Sequence, residues 1–485
     1  MSNAEAAIPI DSNDSLDLAV AEAVGSGGRT IILTSEALSR IATGRRAFEK
    51  MLREPDRYVY GSSTAPGNRA KTLLSAEAAQ RQGGTLRQFI TSRPGVGGRG
   101  LPSRVVRMAI LARLANSLSG RGKLTGATAQ AIAALLNGAA PEVPSEGLAG
   151  PGEVMALSWL LAPIADLPLA TGEAMALVNG SPIASAMIAD VAITARRRLN
   201  LAEQVFALSA EAARMPLEHY SPWLSDLWPE ATYAAALRRL SALMEGGAPQ
   251  RLSHQAPVSW RIVPNILAVM DSAINEAARV ANNSLRALKD NPTMLATGAD
   301  LSVVSVASSG GYHDHFAGRA IDTVNAGLAD VCALASRQVS RLLAGDGLGL
   351  PHLLAPRPTD GVGTEYLSWS LTGPLARAQQ AAAPAGLCMS LEDPGGNQSD
   401  IAQPAFVAYE RFRICSQALD ECLATLAITA TVALQNRAAE PPPKIAKLWH
   451  MVHARWDPNT PTASASGAPL RALLEDFNTI GSGEA

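Results

Sequence analysis

Gly147-Leu148-Ala149-Gly150-Pro151-Gly152-Glu153-Val154 lies about a third of the way along a chain of 485 residues. Its glycines and proline interrupt Ala-rich helical patterns that extend from Ser103 to about Gly247. Gly-Pro clusters punctuate helices, and those near Pro141 to Gly152 break this pattern. Further out the pattern lengthens. Ile266 to Leu288, Ala317 to Leu343 and Pro404 to Arg437 carry apolar residues at spacings of three and four, which predicts helices of roughly 20 to 35 residues. Helices of that length suit a central bundle and a mainly all-α fold. Four parts follow from the breaks: a loop-rich N-terminal part (1–100), a helical middle part around the turn (101–263), the long helices (264–437) and a peripheral segment (438–485), in which Ile445 to Arg455 predicts a short helix.

Hydrophobic residues make up 47% of the chain but aromatic residues only 4%, so Ala, Leu, Val and Ile, good helix formers among them, fill the core. A net charge of −2 gives no electrostatic footprint for nucleic acid or an acidic membrane. No charged-then-apolar leader opens the sequence and no uninterrupted apolar run reaches about 18 residues, so a cytoplasmic protein is expected. The four cysteines, Cys332, Cys388, Cys415 and Cys422, have no metal-ligand spacing and read as free core thiols.

A series of motifs, in order from about Asp14 to Arg437, resembles one family. Leu33-Thr34-Ser35-Glu36-Ala37 and then Val59-Tyr60-Gly61-Ser62-Ser63-Thr64 look like its entry segment and mobile Tyr-Gly loop. Gly172-Glu173-Ala174-Met175-Ala176-Leu177-Val178-Asn179-Gly180 is similar to its Glu-Gly-Leu-Ala-Leu-Ile-Asn-Gly. Asp290-Asn291-Pro292, Ser308-Ser309-Gly310-Gly311-Tyr312-His313 and Leu350-Pro351-His352-Leu353-Leu354 follow at matching places. Each is weak alone, but order and spacing together resemble the histidine and aromatic amino acid ammonia-lyases and aminomutases.

That resemblance implies an ammonia-lyase-like fold, a homotetramer whose pockets combine residues of neighbouring subunits, and a small carboxylated substrate. It puts Tyr60 on the catalytic base, Asn179, Tyr312 and Gln398 on substrate-pocket positions, and Arg261 on the carboxylate-binding position. It also puts Gly150-Pro151-Gly152 on the Ala-Ser-Gly triplet that cyclises and dehydrates into methylidene-imidazolone. Proline offers neither a hydroxyl to leave as water nor a nitrogen able to become a ring imine, so no prosthetic group is expected. Three more departures lie near the chemistry: Val258 at a family tyrosine, Asn265 at a family glutamine and Ser399 at a family glutamate.

The resemblance also implies helix N-termini converging on the triplet, which would leave a pocket attractive to anions. The reading is thus an enzyme without methylidene-imidazolone that uses Tyr60 for proton transfer in an elimination, addition, isomerisation or cyclisation. Two alternatives stay open: a catalytically inactive binding or assembly protein, and an ammonia-lyase with another electrophile. His313-Asp314-His315 offers two histidines on one face of an extended segment, too few for a metal site, and no metal is expected. Gly95-Val96-Gly97-Gly98-Arg99-Gly100 lacks the lysine and hydroxyl of a phosphate loop. Ala465-Ser466-Gly467, the one Ala-Ser-Gly in the chain, has no rigid frame to compress it.

Overall fold

The structure is a computed structural model that describes residues 6–54, 57–84, 99–146, 148, 150–252, 255–297, 302–355, 364, 366–385, 389–391, 398–456 and 472–477. It is mainly helical. Four long helices, Pro182–Ala212, Val263–Arg286, His315–Ala344 and Pro404–Asn436, reach about 36 to 50 Å at 1.5 Å per residue. Three of them cover the stretches whose periodicity predicts long helices. The fourth, Pro182–Ala212, lies in the Ala-rich stretch and begins, with proline in its first turn, right after Asn179-Gly180-Ser181. A shorter helix, Ala446–Arg455, lies in the C-terminal segment.

Contacts group the chain into two compact units. The first comprises 1–193, 277–321 and 384–410, and the second 194–276, 322–383 and 411–485. In the second unit, polar pairs tie the long helices together. Arg196 meets Asp271 at 2.6 Å and Arg198 meets Asp420 at 2.8 Å, while the Ser209 hydroxyl donates to Gln338 at 2.7 Å. Cys332, Cys415 and Cys422 are free and buried there; burial holds the Cys415 thiol up at about 12. The stretch 173–212 and the Pro404–Asn436 helix are long and apolar enough to cross a membrane, yet their most apolar windows are 100% and 83% buried within the protein, as core helices are.

In the first unit the helix Ser35–Leu52 starts at Thr34, whose hydroxyl accepts from Ala37 N at 3.1 Å, a normal N-cap. It delivers Phe48 and Met51 to a cluster with Val59 and Met294, which anchors the chain just before Tyr60. Two small sheets complete this unit. Ile8–Ile10 pairs in parallel with Ile31–Leu33, and Thr293–Thr297 pairs antiparallel with Ser302–Ala307.

Candidate active site

Gly150-Pro151-Gly152 forms a tight turn in the first unit. Pro151 opens a single 3-10 turn, and Gly152 (φ +69°) and Glu153 (φ +52°) are both left-handed. Glycine enters that region freely, but a glutamate there is strained. Glu153 is fully buried, and its two carboxylate oxygens accept from Ile183 N at 2.8 Å and Ala184 N at 2.9 Å. A side chain thirty residues away thus caps the long helix that starts at Pro182. Burial pushes its carboxyl up to about 8, against the pull of those two amides and of Lys289.

The turn is also the floor of a small cluster. A Cβ placed on Gly152 would lie 2.7 Å from Asn179 Oδ1 and 3.6 Å from the Tyr312 ring. The Asn179 backbone oxygen is fixed by Arg113 at 2.9 Å, and its side-chain amide donates to Asn291 O at 3.4 Å. Its Oδ1 is buried with no hydrogen-bond partner among the described residues. Tyr312 is held by its backbone oxygen, which accepts from Gln403. The Tyr60 loop reaches the cluster through Met175: Gly61 (φ +63°) packs so closely on Met175 that a Cβ there would lie 2.5 Å from it, and Met175 in turn contacts the Asn179 amide. The Tyr60 oxygen accepts from Gly67 N at 3.0 Å, which orients the ring within its own loop.

The first unit therefore brings together Gly152, Asn179 and Tyr312, with the Tyr60 loop packed alongside through Gly61 and Met175. Gln398 belongs to the same unit but is exposed. Arg261 belongs to the second unit, where it ends a short helix and donates to Gln255 at 2.6 Å. Its Nε is buried without a hydrogen-bond partner among the described residues. Val258 is 56% exposed. His313 faces the backbone oxygen of Ala402 at 3.1 Å, and Asp314 pairs with Lys289 and accepts from Ala317 N. Burial by itself would raise the Asp314 carboxyl, but Lys289 overcomes it and holds the group below its ordinary value. Ala465-Ser466-Gly467, Cys388 and most of the Gly95–Gly100 run lie outside the described residues.

Several of these parts have no motif in the sequence. Glu153 stands beside the triplet, which is a usable signal. Lys289, Ser185, Ser284 and Asp314 form a buried polar network whose members are up to 129 residues apart, and only the fold assembles them.

A family model described as aromatic amino acid lyase matches residues 16–165 and 160–455. The chain belongs to the aromatic amino acid lyase family. It is 27% identical to a tyrosine ammonia-lyase of Cereibacter sphaeroides over 90% of this chain and 89% of that one, and 26% identical to a histidine ammonia-lyase of Symbiobacterium thermophilum over 68% and 70%. Among solved structures, an ergothionase from Treponema denticola, an ergothioneine-degrading enzyme, superposes with a TM-score of 0.87 at 16% identity, covering 98% of this chain and 99% of that one. A tyrosine aminomutase from Streptomyces globisporus gives 0.86 at 19%, covering 98% and 97%. The fold is the ammonia-lyase fold.

Membership corrects one expectation, that no prosthetic group takes part. The family's histidine and tyrosine ammonia-lyases and aminomutases carry methylidene-imidazolone, and this points against a cofactor-free pocket. The inference from proline was too broad: Pro151 bars one route of ring synthesis at one position, which is narrower than the absence of any cofactor. At that position the fit is partial. A methyl on Gly150 would meet nothing closer than Met155 Cε at 3.7 Å, so the frame has room for the alanine. Gly152 keeps the triplet's glycine. Pro151, with a tertiary nitrogen and no hydroxyl, does not fit the serine's part.

Proposed function

We propose that this chain is an enzyme of lyase or isomerase type that acts on a small carboxylated, amino-acid-derived substrate and uses Tyr60 for proton transfer in an elimination, addition, isomerisation or cyclisation. The observation that carries the reading is the unpartnered Asn179 Oδ1 facing the Gly152 turn. A buried acceptor without a donor costs about 1–3 kcal/mol. A substrate ammonium or hydroxyl satisfies it, and the Tyr312 ring gives that substrate a flat wall. Tyr60, whose oxygen is already bonded by Gly67 N, keeps its own proton to donate or exchange. Arg261, with a planar guanidinium, suits a bidentate carboxylate.

Purified protein incubated with Phe, Tyr, His and ergothioneine tests this, with substrate loss followed for the wild type, Tyr60→Phe and Asn179→Ala. The expected result is turnover of at least one compound. Tyr60→Phe should then lower kcat about 100-fold or more, while Asn179→Ala mainly raises KM. Equal kcat in Tyr60→Phe and wild type removes the proton-transfer role, and no turnover in any arm favours the binding-protein alternative.

A further inference from the structure

The second unit holds a cavity of about 580 Å³, a size usual for small-ligand sites. Its walls differ in chemistry. Leu217, Tyr220, Pro222 and Met244 supply apolar lining, and Arg238 and Arg251 supply charged lining. Arg251 is largely buried, with its side chain 12% exposed, and Nη2 stands 2.7 Å from Oε2 of the buried Glu211. The other Glu211 oxygen accepts from Ala248 N at 2.8 Å, so the carboxylate is held through both of its oxygens. Arg251 Nε and Nη1 are buried with no hydrogen-bond partner among the described residues. Arg238, on the helix Ala231–Leu243, is exposed. Glu245, which also lines the cavity, stands 3.0 Å from Lys444.

The charges select the ligand. Glu211 balances Arg251 and Lys444 balances Glu245, which leaves the surplus of Arg238, enough for one negative charge. Unfilled guanidinium donors suit a planar carboxylate, and the apolar lining residues suit an apolar body of about one ring. We propose that this cavity is a binding site for a small monocarboxylic acid with an aromatic or branched body, separate from the Gly152 cluster. The carboxylate lies on Arg251 and Arg238, and the body lies against Tyr220 and Leu217.

Calorimetric titration of the full chain with 3-phenylpropanoate tests the site, alongside the uncharged 3-phenylpropanol and inorganic phosphate. The variants are Arg238→Gln, Arg251→Lys and Asn179→Ala. The expected outcome is saturable binding of 3-phenylpropanoate that persists in Asn179→Ala and weakens about tenfold or more in each arginine variant. 3-Phenylpropanol and phosphate should bind more weakly than the acid. The proposal is overturned if no saturable binding survives Asn179→Ala, if either control ligand binds as well as the acid, or if Arg238→Gln leaves binding unchanged. Should Arg251→Lys disturb the Glu211 pair and the fold, the exposed Arg238 decides alone.

Discussion

Glu153 combines left-handed backbone, full burial and a carboxyl pushed up to about 8 by burial, directly beside the Gly152 turn. A folded-state value above the ordinary 4.5 means that between those two pH values the folded protein keeps a proton the unfolded chain has released. Its contribution to stability is therefore complete below about 4.5 and is lost as pH rises towards 8, at up to about 1.4 kcal/mol for each pH unit. Glu153→Gln removes this titration. Urea denaturation at several pH values between 5 and 8 should show the wild type losing stability relative to the variant as pH rises, and parallel curves would refute the assignment. The sequence shows where Glu153 stands, but not that two helix amides lie within reach of it, because the start of the Pro182 helix is brought there by the fold.

The helix Ser35–Leu52 shows the same limit at the scale of an element. Its start at Thr34 and its amphipathic pattern are legible, yet Gly44 in its middle reads only as a weak point, where alanine normally gains about 0.5–1 kcal/mol. In the structure a Cβ on Gly44 would fall on the backbone oxygen of Gly120, so the helix runs against another stretch of main chain that cannot move aside as a side chain would. The sign reverses: Gly44→Ala should cost about 1–3 kcal/mol, read from a fall in denaturation midpoint. Because Phe48 and Met51 of this helix anchor the chain ahead of Tyr60, any turnover should fall too. A gain in stability would show that this close approach does not exist. Three of the four long helices were legible for a simpler reason: periodicity over about 23 residues or more leaves little room for another reading.

At the scale of the whole molecule, the sequence yields consecutive segments, whereas each compact unit is assembled from three separate stretches; breaks in composition cannot express that pairing. Tyr60 and Asn179 fall in one unit and Arg261 in the other, and family resemblance implies pockets completed by neighbouring subunits of a homotetramer. If the pockets are built that way, Arg261 serves a site whose Tyr60 belongs to another copy. The surface is compatible with such covering, since Phe316 is 78%, Val269 58% and Val258 56% exposed, apolar side chains of the kind that subunit contacts remove from water. Complementation decides the matter. Tyr60→Phe and Arg261→Gln should each be nearly inactive in whatever turnover the wild type shows. Co-expressed in equal amounts, they should assemble hybrids in which about a quarter of the sites combine an intact Tyr60 from one copy with an intact Arg261 from another, and activity should recover to about that fraction. If each pocket draws both residues from one chain, no hybrid site is intact and the mixture stays as inactive as its parents. Sedimentation of the wild type as a monomer would remove the shared site as well.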